Sequence, residues 1–340
     1  MANLMLTKQC NLRCAYCFAN EFVNRQTDEM SFETFERCLQ FLSFNPNERI
    51  GLIGGEPTLH PDFKKMLARL IDSPFKSVCV FSNGILLDRF FTELRNSRFQ
   101  ILINLNSPDV IGNAAYSRIM DNMDRMVNSL YMAEQVGLGI NLYNPDMDYG
   151  YLLEALKRFR QSKVRVSISV PNLGGNRQID PLEYFRAMRP LVLRFMKDVL
   201  ELGAAPNFDC NYIPFCLREK EDDLLFNKYK DVLSRSNLLH QPPICSPVID
   251  ILPDLMAVRC FGMSSFYKAD IRNFKNTEEL RRHFLLEVDA CAYPVFPSEA
   301  CRGCREYLAG RCSCGCYAYR EDRMRLLRDF AAENFGGKKK

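Results

Sequence analysis

Three cysteines in the run Cys10-Asn11-Leu12-Arg13-Cys14-Ala15-Tyr16-Cys17 are the residues most able to do chemistry. Their spacing suits three irons of a four-iron, four-sulfur cluster and leaves the fourth iron open, where a small molecule can chelate through an amine and a carboxylate. A zinc knuckle or a set of buried free thiols is the competing reading, because thiolates serve both metals. Further along, Gly54-Gly55-Glu56-Pro57 follows the apolar run Ile50-Gly51-Leu52-Ile53. Two glycines at a strand end let backbone approach a ligand closely, although the same four residues alone would make an ordinary turn.

A second concentration of thiols lies near the other end. Cys245 and Cys260 are followed by Cys301-x-x-Cys304 and then by Cys312, Cys314 and Cys316 in a loop-rich stretch. With Cys291, eight cysteines lie from Cys245 onward, enough for two fully ligated clusters. Zinc and iron–sulfur both fit, and the pairing cannot be deduced from spacing. Cys210 and Cys216 stand upstream in a Pro-rich stretch with Pro242, Pro243 and Pro247.

The elements that must position these residues alternate. Short apolar strands are expected near residues 3–7, 49–53, 77–81, 100–105, 138–143 and 164–170, separated by helical segments, which is the signature of a parallel sheet with covering helices. One helix starts at Ser31 as cap and buries Phe32, Phe35, Leu39 and Leu42. Another is expected from Tyr116 to Gln135, ended by Gly137, with Ile119, Met123, Met126, Val127 and Leu130 inward. A third stretch, Pro181 to Leu202, is expected to be interrupted at Pro190. Ligands of parallel sheets gather at the carboxyl ends of strands. Those ends carry Ser82-Asn83-Gly84, then Asn104, Asn106, Ser107 and Asp109, then Asn141, Ser167, Ser169 and Asn172. Such groups can hydrogen-bond a ribose or a carboxylate, and the same residues also form turns. His60, His240 and His283 carry no catalytic signal.

Composition narrows the class. The chain has 340 residues, 47% hydrophobic and 25% charged, enough for one main domain and a smaller one. A net charge of +4 gives no case for nucleic acid, and no apolar run is long enough for a membrane span. A strand and a metal ligand within the first ten residues leave no room for a signal peptide. Fifteen cysteines in mostly metal-type spacings point to a reducing compartment, the cytoplasm. Lys338-Lys339-Lys340 reads as a solvated end.

The cysteine triplet followed by Gly-Gly-Glu-Pro resembles the radical SAM enzymes. The resemblance implies an α/β fold, a partial (β/α)6 TIM-type barrel, with S-adenosylmethionine bound at the cluster of Cys10, Cys14 and Cys17 and with Gly54, Gly55, Glu56 and Pro57 beside its methionine part. It further implies cofactor contacts from Tyr16, Ser82, Asn83, Asn104, Asn106, Asn141 and Ser167. Many relatives have Thr-Asn-Gly in place of Ser82-Asn83-Gly84 and a Ser-x-Asp pair in place of Asn104 and Asn106, so here an amide replaces an acid.

The C-terminal cysteines resemble the SPASM extension and its shorter relative, twitch, which carry auxiliary clusters. This implies one or two auxiliary 4Fe-4S clusters on Cys245, Cys260, Cys301, Cys304, Cys312, Cys314 and Cys316. Pro253-Asp254-Leu255 stands where relatives have Pro-Asp-Gly, and no cysteine follows Cys316. The usual last ligand is then missing or comes from Cys314, Cys291, Cys210 or Cys216. The expected organisation is a barrel over 1–205, a bridging region over 206–244, an auxiliary-cluster domain over 245–318 and a C-terminal helix and basic tail over 319–340.

Reductive cleavage of S-adenosylmethionine to a deoxyadenosyl radical, which abstracts a substrate hydrogen atom, is the implied activity. The implied substrate is a ribosomally made peptide receiving a crosslink or other oxidative change. A leader-binding protein would be separate, since the chain opens almost at the cluster strand. An electron donor such as flavodoxin or ferredoxin is also implied. The alternative is a small-molecule dehydrogenase or epimerase acting on a sugar or cyclitol. Against the first of these, Phe261 follows Cys260 where several dehydrogenase-like relatives have a polar proton acceptor. A non-catalytic metal-binding scaffold is the reading from another class.

Overall fold

A computed structural model describes residues 1–17, 19, 23–24, 28–45, 47–169, 179–209, 212–238 and 244–335. Cys210, Asn172, His240, Pro242, Pro243 and the lysine tail lie outside the described residues.

All six expected strands form. They are β1 (Ala2–Met5), β2 (Ile50–Ile53), β3 (Val78–Ser82), β4 (Phe99–Asn104), β5 (Val136–Leu142) and β6 (Lys163–Ile168), paired in parallel in chain order. A seventh, β7 (Ala205–Phe208), adds in parallel to β6. On the other side β8 (Ile249–Ile251) pairs in parallel with β1, and β9 (Met256–Val258) and β10 (Ala269–Asp270) follow antiparallel. The ten-stranded sheet therefore ends at β10 and β7 and is not closed. One hydrogen-bonded surface joins the barrel strands to the start of the cysteine-rich region.

Strand alternation sorts the side chains. Leu4, Leu52, Val80, Ile101, Ile103, Ile140 and Val166 enter the apolar core. The register places Asn3, Gly51 and Cys79 in one row of the opposite face, and Asn104, Gly139 and Arg165 in another. Polar residues on that face mark it as a surface made for something other than packing.

Ser31 caps the helix Phe32–Ser43 by accepting from Thr34 N, and Phe35, Leu39 and Leu42 are buried. The helix expected to reach Gln135 is shorter. It spans Asn113–Asp124, widens into a π turn over Arg125–Ser129, and ends before Tyr131, whose φ is 56°. Gln135 instead donates through Nε2 to the carbonyls of Leu94, Asn96 and Phe99, and Gly137 lies inside β5. Nor does Pro190 interrupt its helix, which runs Pro181–Glu201 from an Asp180 cap.

Glu48 ties the second half to the barrel. Its carboxylate accepts from Arg281 Nη2 at 2.6 Å, Arg281 Nη1 at 2.9 Å and Thr277 Oγ1 at 3.1 Å. Among the described residues no helix is long and apolar enough to cross a membrane.

Candidate functional site

β1 leads directly into the cysteine loop. Leu12 N donates to Cys10 Sγ at 3.4 Å, Cys10 N donates to Asn24 Oδ1 at 2.9 Å, and Cys17 N closes a turn onto Cys14 O at 3.1 Å. All three thiols are half-buried. Burial pushes Cys10 up to about 11 and raises Cys14 and Cys17 as well. Cys10 also feels the charges of Cys14 and Cys17, so the three face one another. Arg13, the cation on this loop, is exposed and donates to the Cys10 and Leu12 carbonyls, so burial decides and the thiols keep their protons until metal displaces them. Among the described residues no three His, Cys, Asp or Glu side chains converge on a single ion. A cubane needs its three ligands spread over three irons, and this loop offers that donor set.

The two glycines serve the loop itself. Gly55 N donates to Thr7 O at 2.8 Å and Glu56 N to Gln9 O at 2.7 Å, extending the β1–β2 ladder past both strands. A Cβ on Gly54 would lie 2.6 Å from Thr7 O, and one on Gly55 2.2 Å from Gln9 O and 2.9 Å from Cys10 Cβ. No side chain fits there. Glu56 turns away and is buried, accepting from Thr58 N, Thr58 Oγ1, Ser82 Oγ and Asn83 N at 2.6–3.2 Å. Burial raises its pKa against the opposing pull of these donors. Both carboxylate oxygens are thus used to hold the end of β2 to the end of β3, with Pro57 opening the 3-10 turn that follows. Asn83 reaches back to the cysteine loop, its Nδ2 donating to Asn11 Oδ1 at 2.7 Å.

Tyr16 is the wall between loop and barrel. Its hydroxyl donates to Asn106 Oδ1 at 2.6 Å, and its ring lies 5.1 Å from that of Tyr143. Burial holds its proton well above the usual phenol range. Tyr16, Asn106, Asn141, Tyr143, Asp148 and Tyr151 line a cavity of about 210 Å³ at the ends of β4 and β5. Aromatic walls and neutral amides suit a stacked, hydrogen-bonding ring system such as a nucleoside.

Below this level Arg165 organises the inner face. Its Nη1 donates to Asn141 Oδ1 at 3.0 Å and Asn104 Oδ1 at 3.3 Å, and its Nη2 pairs with Asp209 at 2.9 Å. Gly139 leaves the room, since a Cβ there would be 3.0 Å from Asn104 Oδ1 and 3.2 Å from Arg165 Cδ. Ser167 Oγ lies 3.5 Å from Ser169 Oγ. On β8, Asp250 accepts from Asn3 Nδ2 at 2.6 Å and from Phe261 N at 2.9 Å, and burial pushes it up to about 7.

The C-terminal thiols fall into two groups. Cys245, Cys260 and Cys316 form the first: the neighbouring Cys316 thiol and the Arg259 guanidinium hold Cys245 well below the usual thiol range, while burial pushes Cys260 up to about 12. The fully buried Arg259 serves this group, donating from Nη1 to Cys245 Sγ at 3.2 Å and from Nη2 to Cys245 O at 2.7 Å, and pairing through Nε with Asp289. Its guanidinium also lies 4.7 Å over the Tyr317 ring. Cys301, Cys304, Cys312 and Cys314 form the second, within an apolar setting of Leu182, Phe296, Tyr307 and Leu217. The neighbouring Cys314 thiol draws Cys301 down to about 7, and Cys314 N donates to Cys312 Sγ at 3.3 Å.

Tyr16, Asn106 and Asn141 line one cavity, and Gly54–Pro57, Ser82 and Asn83 sit at the adjoining strand ends. Asn104 is held by Arg165, and Ser167 neighbours Ser169. Arg165, Asp250 and Arg259 had no place in the sequence reading, although each is a charge inside or beside an apolar run. His60 is a satisfied core residue, with Nε2 3.0 Å from Met30 O and Nδ1 accepting from Asp62 N. His283 pairs with the Tyr267 hydroxyl at 2.9 Å. Cys291 joins neither thiol group and contacts Glu287 O.

Residues 4–147 match the radical SAM superfamily. A GTP 3',8-cyclase of Acidothermus cellulolyticus is 27% identical over 145 residues, 39% of this chain and 39% of that protein. The chain spans less than two fifths of the length of the first curated relatives it matches. Among solved structures, native anSMEcpe with bound AdoMet and Cp18Cys peptide aligns with a TM-score of 0.62 at 15% identity, over 97% of this chain and 96% of that one. Streptococcus suis SuiB bound to S-adenosylmethionine aligns with a TM-score of 0.60 at 15% identity, over 96% of this chain and 73% of that one. SuiB is also known bound to precursor peptide SuiA.

Proposed function

The chain carries a radical SAM domain over residues 4–147, and from that premise we propose that it is an oxidative, peptide-modifying enzyme with auxiliary clusters of SPASM type. The observation that carries this reading is the parallel pairing of β8 with β1, which brings the start of the cysteine-rich region into the same sheet as the strand that feeds the cysteine loop. The fold shared along nearly the whole chain with two proteins crystallised with peptides supports a peptide as substrate. A cytoplasmic setting agrees with the fourteen described cysteines, all free.

Cys10, Cys14 and Cys17 would hold the 4Fe-4S cluster that binds S-adenosylmethionine, and the C-terminal thiols the auxiliary clusters. When bound, these groups supply one-electron chemistry: a radical initiator at one end and an electron acceptor at the other. The protein's share is position and proton control. Tyr16, Asn106 and Asn141 seat the nucleoside by stacking and hydrogen bonds. Asn83 and the ladder from Thr7 to Glu56 fix the loop. Arg165 holds the amides of Asn104 and Asn141 in one orientation. Asp250 is buried and ties β1 to the region after β9, accepting from Asn3 Nδ2 and from Phe261 N.

A second reading, a polar small molecule as substrate, is favoured by the Arg165 and Asp209 pair on the inner face and by the GTP 3',8-cyclase likeness. One experiment separates them. The anaerobically reconstituted protein with a strong reductant should form deoxyadenosine from S-adenosylmethionine, and the variant with Cys10, Cys14 and Cys17 all changed to Ala should form none. Mass loss of two hydrogens in a peptide encoded beside the gene would establish the peptide reading. Turnover of a nucleotide or sugar in its place would replace it, and zinc as the bound metal would sink both.

A further inference from the structure

We propose that Arg320 is the counter-charge of the second C-terminal thiol group: an enclosed guanidinium with no carboxylate partner, which balances the negative charge of a thiolate cluster there and raises its reduction potential. This rests on the reading that the C-terminal thiols hold iron–sulfur clusters.

Arg320 closes the 3-10 turn Tyr317–Arg320, just before the C-terminal helix Glu321–Phe335. It is only 2% exposed. Its hydrogen bonds go to neutral acceptors: Nη1 donates to Val295 O and to the Tyr307 hydroxyl, both at 2.9 Å, and Nε has no partner among the described residues. The ion pairs beside it, Arg259 with Asp289 and Arg325 with Glu321, leave it out. A buried cation without an anion is costly to enclose. Arg259 shows the ordinary solution, and Arg320 departs from it on the same aromatic ring: the two guanidinium carbons lie 4.7 and 4.6 Å from the centre of Tyr317.

The thiols beside Arg320 can supply the anion. Arg320 and Cys312 line one hollow of about 10 Å³, together with Tyr307 and Tyr317. Tyr307, which takes the guanidinium's hydrogen bond, packs with Cys301 and Cys314, and Cys304 and Cys312 pack against that cluster. A cation and four thiols thus share one enclosure, whose hollow has room for about one water and none for a solvated counter-ion. Protonated thiols give the guanidinium nothing to neutralise. Thiolates on iron carry more negative charge than the iron core cancels, and in an apolar setting the attraction to a fixed cation is strong. Reduction adds one more negative charge to the cluster, so the same cation favours the reduced form and raises the potential.

The test uses the full chain reconstituted anaerobically, with iron counted and midpoint potentials read by redox titration followed by electron paramagnetic resonance. Arg320→Met removes the charge and keeps much of the volume. It should hold the parent's iron count, move the midpoint of an auxiliary signal to more negative potential, and leave unmoved the signal that disappears when Cys10, Cys14 and Cys17 are changed to Ala. Arg320→Lys keeps the charge but breaks the fork to Val295 O and Tyr307, and should stay near the parent's potential. Should Arg320→Met fail to hold iron, retention of both iron and potential in Arg320→Lys would give the same support. Matching behaviour of the two variants would overturn the proposal, because the hydrogen bonds and not the charge would then be what Arg320 supplies. An unmoved midpoint in Arg320→Met would overturn it too. A parent that binds zinc and no iron would instead overturn the reading on which the proposal rests, and the metal analysis tells the two failures apart.

Discussion

The cysteine loop near the start of the chain and the thiol groups near its end use the same side chain in opposite surroundings. Around Cys10, Cys14 and Cys17 the structure supplies backbone N–H groups, amides and an aromatic wall, with Arg13 exposed and donating only to backbone carbonyls. Around Cys245, Cys260 and Cys316 it supplies a fully buried guanidinium, tied to Asp289 and stacked on Tyr317. The six cysteines are alike half-buried, so the difference lies in their surroundings: the first loop keeps its one cation in solvent, and the second region encloses its cation beside the thiols.

The largest expected effect breaks that comparison directly. Arg259→Met leaves the Asp289 carboxylate buried without its partner and should cost about 3–5 kcal/mol, read from denaturant midpoints, whereas Arg13→Met should cost under about 0.5 kcal/mol. Equal costs would mean that the two regions do not differ as described.

Asp250 sharpens the comparison at the seam. Its folded carboxyl, pushed up to about 7, keeps a proton through a window in which the unfolded chain, near the ordinary carboxylate value, has lost it. This group's contribution to stability must therefore fall as pH rises through that window and be lost above the folded value. Between pH 6 and 8 the parent should lose roughly 1 kcal/mol more than Asp250→Asn, measured from urea midpoints. Parallel pH profiles for the two would remove Asp250 from the account.

The smallest effect probes the neutral front site. Tyr16→Phe keeps the ring against Tyr143 and removes the hydroxyl from Asn106, at a cost of about 1 kcal/mol or less. The KM for S-adenosylmethionine should rise a few-fold while iron content stays at the parent's level. Loss of iron in Tyr16→Phe would make the tyrosine part of the loop's scaffold.

Local pattern carried much of this fold. Six strands, the Ser31 cap and the triplet with its glycine segment could be read from runs of neighbouring residues, because alternation and capping are near-neighbour properties. The helix at Tyr116 was read too long because its apolar spacing continues past the π turn, and only the positive φ of Tyr131 ends it. The thiol groups could be counted but not sorted. Cys316 and Cys245 meet only because long intervening segments fold back, and nothing in their spacing encodes that return. The Pro253-Asp254-Leu255 turn kept its shape despite losing glycine: Leu255 takes φ 68° and is buried, so packing outweighs a local backbone cost. Asp250 and Arg259 were invisible for a related reason. A charge in an apolar run looks like a solvated position until the partner that buries it is known.

The seam between β1 and β8 also sets a clock. Asn3 meets Asp250 across 247 positions of chain, while its other neighbour strand, β2, is made early. At ribosomal speeds of about 5–20 residues per second, that edge of β1 waits roughly 10–50 s for its second partner. During that interval the strand feeding the cysteine loop has an open edge, the kind of surface that recruits other strands. Nascent chains stalled before β8 are therefore the species most in need of a chaperone, and the seam closes only when the thiol-rich end arrives.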